Sequence, residues 1–425
     1  MGSPLLGTRL RRVAIDTEPL WHRDFRRLFV GQGVSYVGYW LTAVAVPVQV
    51  YEITGSSFWV GMLGLVALGP LVVFGLWGGA VADAVDRRML LLVSSSVTWV
   101  VTLALLVQAL LGLASLALVL ALVAVQSGAF AVTSPVRNAI VPRLIPAPLV
   151  PAANTLSFTV ANVGSVAGPL LAGVVITRLG GFAAAYGIDA VLFTVALYAA
   201  FRLPALPPAA RPDRDGAGAA GTRVGLRSVV GGLRYIAGHR VLLMSFAVDI
   251  VAMVFAMPRA LFPEVAATRF GGPGAVGWLF AAIAIGAVTG GLLSGWIGRV
   301  RRQGVALVAA VVCWGLAVAA SGLAGSLWLA VLLLAVAGAA DLVSAVYRQT
   351  ILQVYAPDEL RGRLQGVFIV VVAGGPRLGD LRAGATAAAL GATVSWVAGG
   401  IACAAAVLAL AAASPSLLQY GTARD

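Results

Sequence analysis

From Met89 to Val136 the chain carries no charged side chain. Wound as one helix at 1.5 Å per residue, that run would extend about 70 Å, more than twice the hydrocarbon thickness of a bilayer. It therefore reads as two helices crossing in opposite directions, with the turn near Gly112 to Ser115. The remaining chain repeats the pattern. Apolar stretches of bilayer length run over 28–50, 57–82, 89–111, 115–136, 152–177 and 182–203, then over 241–263, 276–298, 304–324, 327–347, 362–390 and 394–413. Charged residues make up only 11% of the chain, against about 25% in a soluble domain, so 425 residues cannot be kept in water. The expected fold class is an all-α membrane protein with twelve transmembrane helices in two pseudo-symmetric six-helix bundles.

Twelve crossings return both ends to one side, and charge says which. The two tails and the loops at 83–88, 137–150, 204–240, 299–303 and 348–363 hold most of the 29 basic residues, all of them Arg. The opposite loops hold two, Arg178 and Arg269. By the positive-inside rule both termini are expected in the cytoplasm. The first 27 residues lack a short apolar core followed by a small-residue cleavage site, so they read as a tail and not as a signal peptide. The Pro- and Gly-rich run from Pro204 reads as a flexible connection. The expected organisation is a cytoplasmic N-tail (1–27), an N-terminal bundle (28–203), a cytoplasmic linker (204–240), a C-terminal bundle (241–413) and a cytoplasmic C-tail (414–425).

Composition also excludes functions. The net charge of +13 falls in short Arg runs between apolar stretches, as topology requires, so no nucleic-acid partner is implied. Arg without Lys points to a GC-rich, bacterial genome and so to a bacterial cytoplasmic membrane. Without lysine the chain can hold no Walker motif for ATP. An intramembrane enzyme needs clustered His, Asp or Cys, but His22 and His239 lie at span ends, and Cys313 and Cys403 are isolated in apolar segments, where they read as core packing. Neither a disulfide nor a metal site is supported.

A long-range repeat divides the chain. Arg137-Asn138-x-Ile140-Val141-x4-Pro146-x2-Leu149 returns 211 positions later as Arg348-Gln349-x-Ile351-Leu352-x4-Pro357-x2-Leu360. Gly79-x3-Asp83-x3-Arg87 returns as Gly291-x3-Gly295-x3-Arg299. Doubled helical bundles place substrate sites at the bilayer midplane, on the seam between the halves.

Two motifs suit moving parts. In Gly79-x3-Asp83-x2-Asp86-Arg87-Arg88, the glycine permits close helix approach, while carboxylates and guanidiniums can bridge in one conformation and part in another. In Gly164-x3-Gly168-Pro169-x3-Gly173, small residues four apart make a flat helix face and the proline removes a backbone hydrogen bond. Arg137 and Arg348 each read as a cation at a helix end, suited to gating or topology. With Asp24-Phe25-Arg26-Arg27-Leu28-Phe29, Ala45-Val46-Pro47-Val48-Gln49, Leu203-Pro204-Ala205-Leu206-Pro207-Pro208 and Gly277-Trp278-Leu279-Phe280-Ala281-Ala282-Ile283, these motifs make the chain resemble, over nearly its whole length, the major facilitator superfamily transporters, in the subgroup of siderophore and drug exporters. The resemblance implies that the first motif latches the outward-facing state and that the Gly-Pro helix is of the antiporter type. Asp86 stands where the family usually has glycine, and Gly295 replaces the second acid, so a one-sided latch is expected.

Ionisable groups within spans cost roughly 2.5–3.5 kcal/mol each even on the mildest scale, so each needs a reason. Asp249, Asp380 and Asp341 are the candidate proton carriers, with Asp249 foremost because it lies deep in the seventh span. Asp189 in the sixth span reads as structural. Arg259 is a candidate counter-charge for substrate. In the eleventh span Arg377 and Asp380 share a helix face and can pair, while Arg382 points the opposite way and needs a cavity or an acid such as Asp249 or Asp341. Gln32, Tyr36, Tyr39 and Trp40, with Gln126 and Asn162, are candidate lining for flat aromatic substrates. The expected function is secondary export of a small organic molecule, siderophore or drug-like, by proton antiport and alternating access. It needs no cofactor beyond the proton gradient and no partner beyond lipid, and the chain is expected to act as a monomer. Multidrug or antibiotic efflux without a siderophore role is the alternative, and a non-transporting membrane sensor is a third.

Overall fold

The computed structural model describes residues 16–207, 226–357 and 360–421. Among these the chain is helical, without strands. The first half comprises α1 (Arg23–Thr54), α2 (Ser57–Ala84), α3 (Arg87–Leu110), α4 (Leu116–Leu144), α5 (Val150–Arg178) and α6 (Gly181–Phe201). A short α7 (Leu226–Gly238) precedes the second half, built from α8 (Arg240–Phe255), α9 (Phe262–Arg269), α10 (Pro273–Leu292), α11 (Gln303–Gly322), α12 (Leu327–Tyr355), α13 (Arg361–Leu390) and α14 (Ala392–Ala413). Eleven segments among the described residues are long and apolar enough to cross a membrane, with α8 and α9 counting together as one. α13 supplies the twelfth, 30 residues long and charged in its middle.

The charge-free run folds as two helices. α3 ends at Leu110, Gly112 turns the chain at φ 63°, and the Ser115 hydroxyl accepts the Leu118 N–H to start α4. At the start of α3, Asp86 accepts the N–H groups of Arg88 at 2.8 Å and Met89 at 3.3 Å. Its other oxygen takes the Leu206 N–H at 3.0 Å, which ties the inter-bundle connection to this corner. The motif acid therefore acts as a helix cap.

Five expectations need correction. α4 and α12 do not end at the repeated arginines but run seven residues past them, from Arg137 to Leu144 and from Arg348 to Tyr355, so neither Arg caps a helix end. The helices outlast the apolar stretch because helix formation continues in polar surroundings, where hydropathy loses its signal. The seventh span is broken between Phe255 and Phe262, with a 3-10 turn at Arg259–Leu261, because Pro258 has no N–H to continue the ladder. The eighth ends at Leu292 and finishes as a 3-10 turn, Ser294–Arg299, where Gly290, Gly291, Gly295 and Gly298 weaken the helix. The expected flexible linker contains the helix α7, whose Tyr235 hydroxyl donates to the Tyr355 carbonyl at 2.8 Å. Of the two cysteines, Cys403 is buried, but Cys313 is exposed on the outer surface and does not pack in the core.

Each half is held by its own pairs: α1 with α5 and α6, α2 with α4, and α3 with α4 and α6 in the first; α10 with α12, α11 with α12 and α14, and α8 with α13 and α14 in the second. Two seams join the halves, α2 against α13 and α5 against α10. Both are made by glycine. A Cβ at Gly64 would meet the Arg377 carbonyl oxygen at 2.6 Å, and one at Gly173 would meet the Gly274 carbonyl oxygen at 2.9 Å; Gly61, Gly277 and Gly384 likewise face the backbone of Asp380, Pro169 and Ser57. All these contacts lie toward the face opposite the chain termini. On that far face the Ser57 hydroxyl donates to the Glu264 carboxylate, the one side-chain hydrogen bond between the halves among the described residues.

Gly338 of α12 abuts the Ile283 backbone of α10 so closely that no side chain fits, whereas a methyl group at Gly69 would meet no atom within 4 Å. Gly338→Val is therefore expected to lose about 1–3 kcal/mol or more through overpacking. Gly69→Ala should be neutral or gain about 0.5–1 kcal/mol. Thermal unfolding in detergent measures both.

Candidate functional site

Between the two halves lies a cavity of about 390 Å³, within the range of small-molecule sites. α1 presents Tyr39, Thr42, Ala43 and Val46, the i, i+3, i+4, i+7 face of one helix. α4 presents Val123, Gln126, Ser127 and Phe130 by the same spacing. The aromatic floor is a stack of Tyr39 on Phe130, with centroids 6.0 Å apart and planes 18° from parallel. Opposite stand Arg259 from the break in the seventh span, and Arg377 and Asp380 from α13. Two guanidiniums face one carboxylate. The site thus offers an aromatic surface beside net positive charge, which suits a flat molecule bearing negative charge.

Of the expected cavity residues, Tyr39, Gln126, Arg259 and Arg377 line this space together with Asp380. The others do not. Tyr36 packs on Gly164, where a Cβ would approach the ring at 2.7 Å, and Trp40 packs on Gly168. Gln32 borders a small space beside Arg137 and Ser95, and the Asn162 side chain donates to the Phe158 carbonyl of its own helix at 2.9 Å. Thr42, Ser127 and Phe130 went unremarked in the sequence, although the helical spacing from Tyr39 and Gln126 points to them.

Arg382 neither lines the cavity nor meets Asp249 or Asp341. Its place follows from the broken helix. The Val254 carbonyl would take the N–H of residue 258 in a continuous helix, but residue 258 is proline. Arg382 supplies the missing donors: Nε to Val254 O at 3.1 Å and Nη2 to Phe255 O at 2.5 Å, with Nη1 reaching Ser395 O at 3.4 Å. Gly399 leaves room for this guanidinium. On the other side of the break, Asp380 Oδ1 accepts the Ala260 N–H at 3.2 Å. Asp380 and Arg377 share a face as expected, yet they form no ion pair among the described residues. Arg377 instead donates to the Ala373 carbonyl at 2.7 Å. α13 thus holds both ends of the break, and so holds Arg259 toward the cavity.

Asp249 lies apart from the cavity, 2% exposed, in direct contact with Arg348 of α12. Arg348 also approaches Asp341 at 3.4 Å. The foremost proton candidate therefore has a guanidinium as immediate neighbour, and the second copy of the repeated arginine serves as its counter-ion. In the first-half loop, Arg87 donates to the Ala139 carbonyl at 3.3 Å and Arg88 to that of Phe201 at 2.7 Å. The side chains of Gly79 and Asp83, in the last turns of α2, lie outside the described residues. Pro169 and Gly173 of α5 meet Gly277 of α10 at the seam while Gly164 and Gly168 face α1, so the motif does not form the single flat face expected but serves two contacts from nearly opposite faces of the helix.

Removing one member of a buried ion pair strands the other. Arg348→Met is expected to lose about 3–5 kcal/mol of stability. Adding Asp249→Leu to it should recover most of that loss, as thermal or denaturant unfolding of the single and double variants would measure.

Solved structures share the fold: a nucleoside transporter, NupG, at a TM-score of 0.73, covering 94% of this chain and 100% of its own with 14% identity, and a bacterial homologue of the lysosomal transporter Spinster, inward-facing and unoccupied, at 0.66, covering 95% and 97% with 17% identity. By sequence, the enterobactin exporter EntS of Shigella boydii serotype 18 is 31% identical over 353 residues, 82% of this chain and 81% of that one. That of Citrobacter koseri is 31% identical over 354 residues with the same coverage. The family model for transmembrane secretion effectors matches residues 15–419. The chain belongs to this family of major facilitator transporters.

Proposed function

We propose that the protein exports a small aromatic, anion-bearing molecule of siderophore type across the bacterial cytoplasmic membrane, in exchange for protons. The observation that carries this reading is the cavity itself: Arg259 and Arg377 stand across from the Tyr39 and Phe130 rings. Relatives that export enterobactin support the substrate class. The excess of Arg in the loops on the terminal face supports cytoplasmic termini.

The places where the halves touch support alternating access. The Ser57 to Glu264 contact and the two glycine seams close the far face. In this arrangement substrate loads from the terminal side, and release requires the seams to part. Asp380 is the acid that substrate and proton share, since it lines the cavity between two arginines. Substrate hydroxyls that donate to the ionised Asp380 carboxylate compete with the proton for it, so substrate binding favours its deprotonation and protonation from the far side favours substrate release.

Inverted membrane vesicles with an acidic lumen and enterobactin as the probe test this reading. Gradient-driven uptake is expected. Arg259→Gln and Arg377→Gln should each raise KM, since a hydrogen bond to a charged group is worth about 1.5–3 kcal/mol, or roughly ten- to hundredfold. Asp380→Asn should remove the dependence on the gradient while leaving exchange. No uptake of enterobactin, with uptake of uncharged or cationic aromatic drugs instead, would favour broad drug efflux.

A further inference from the structure

We propose that Asp189 is a second proton-binding site, one that exchanges its proton with the cavity through Thr42. Its part in the transport cycle rests on the proton-coupled reading above; its protonation does not.

Asp189 lies midway along α6 and is 2% exposed. Glu52 and Glu264 lie near the far-face ends, while the other acids deep within the spans have guanidiniums nearby, Asp249 and Asp341 sharing Arg348 and Asp380 standing with Arg259 and Arg377. Asp189 has none. The segments packed around it are free of charge, from Leu28 to Tyr51 in α1, from Met89 to Leu110 in α3 and from Val150 to Thr177 in α5. Arg137 borders a small space with Ala196 and Ala200 of α6, about two to three turns from Asp189. Tyr186 turns its hydroxyl to Gln49 Oε1 at 2.7 Å, and Trp99 donates to the Ala190 carbonyl at 3.0 Å. A carboxylate with no counter-ion at this depth is strongly unfavourable, and a neutral acid is not.

The hydrogen bonds agree. Thr42 Oγ1 donates to Asp189 Oδ2 at 2.5 Å, while the buried Oδ1 has no partner. Thr102 stands close enough to the carboxyl from α3 to hydrogen-bond with it, and its hydroxyl is turned to the Thr98 carbonyl at 3.1 Å, so in this arrangement it presents lone pairs to Asp189. An ionised Asp189 leaves Oδ1 without a donor. A protonated one places a hydroxyl there that Thr102 can accept. On α1, Gly38 makes the room, because any Cβ at that position would overlap Oδ1.

Thr42 is also part of the cavity wall, so a single hydroxyl separates the acid from cavity water. For release, the carboxyl rotates its proton to the oxygen facing Thr42 and donates it to Oγ1 while the Thr42 proton passes to water. The O–H bond broken on Asp189 is matched by one formed on water, giving a carboxylate and a hydronium, with Thr42 unchanged. Uptake is the reverse.

Infrared pH-difference spectra of the full-length protein in lipid test the protonation without a substrate. A protonated-carboxyl stretch is expected that is lost in Asp189→Asn, shifted in Thr42→Val and unchanged in Asp249→Asn. Full retention of that stretch in Asp189→Asn, or an unmoved one in Thr42→Val, overturns the proposal; Thr42→Val keeps the acid and decides alone if Asp189→Asn does not fold. In inverted vesicles with enterobactin as the probe, Asp189→Asn should lower gradient-driven uptake at least about tenfold, a typical coupling between linked sites, while exchange without a gradient persists. Wild-type uptake in that variant overturns exchange with the cavity. If the wild type itself shows no gradient-driven uptake, the antiport reading fails, and the infrared spectra still decide whether Asp189 holds a proton.

Discussion

A bilayer has no water with which to satisfy an open backbone group, so any irregularity at membrane depth must be completed by another part of the protein. The break in the seventh span is the place where this constraint organises the rest. Pro258 opens the Val254 carbonyl, and the interruption frees the Ala260 N–H. α13 answers with a cation for the carbonyls and an anion for the amide. The charged middle that keeps α13 from resembling an ordinary membrane helix is thus in large part the complement of a defect elsewhere. The same arrangement sets Arg259 in the cavity wall, so the substrate site depends on a backbone repair.

Charge within the spans sorts by what each group faces. Arg348 is occupied by two acids in the core of the second half. Arg382 is occupied by carbonyls. Arg259, Arg377 and Asp380 open onto a common space. An unpaired acid is found in the first half, where the sequence suggested only a structural residue. The two halves therefore differ in the chemistry of their mid-span acids: Asp189 of the first stands without a cation, whereas Asp249, Asp341 and Asp380 of the second stand beside arginines.

The number of crossings and the turn at Gly112 were legible because length and hydropathy determine them locally. The cavity was half legible. Tyr39, Gln126, Arg259 and Arg377 stood out as polar or aromatic residues in apolar helices, but Tyr36, Trp40, Gln32 and Asn162 have the same appearance and point elsewhere, since composition does not give helix rotation. Arg382 was misassigned because its partners lie about a third of the chain away, at Val254 and Phe255. A clue existed in Pro258, four residues beyond the carbonyl it leaves open. The true ends of α4 and α12 were hidden because a helix leaving the membrane keeps its hydrogen bonds while losing its hydropathy.

The glycines at the two seams bring backbone against backbone, as Gly64 does with Arg377 and Gly277 with Pro169. Such a surface resembles a bearing more than a zipper. Interlocked side chains must be withdrawn one by one before two bodies can turn, and each withdrawal adds friction; smooth ridges can roll past each other through many intermediate angles at nearly constant contact. A bulky residue at Gly64 or Gly277 would act as grit there, slowing the turn even where the protein still folds.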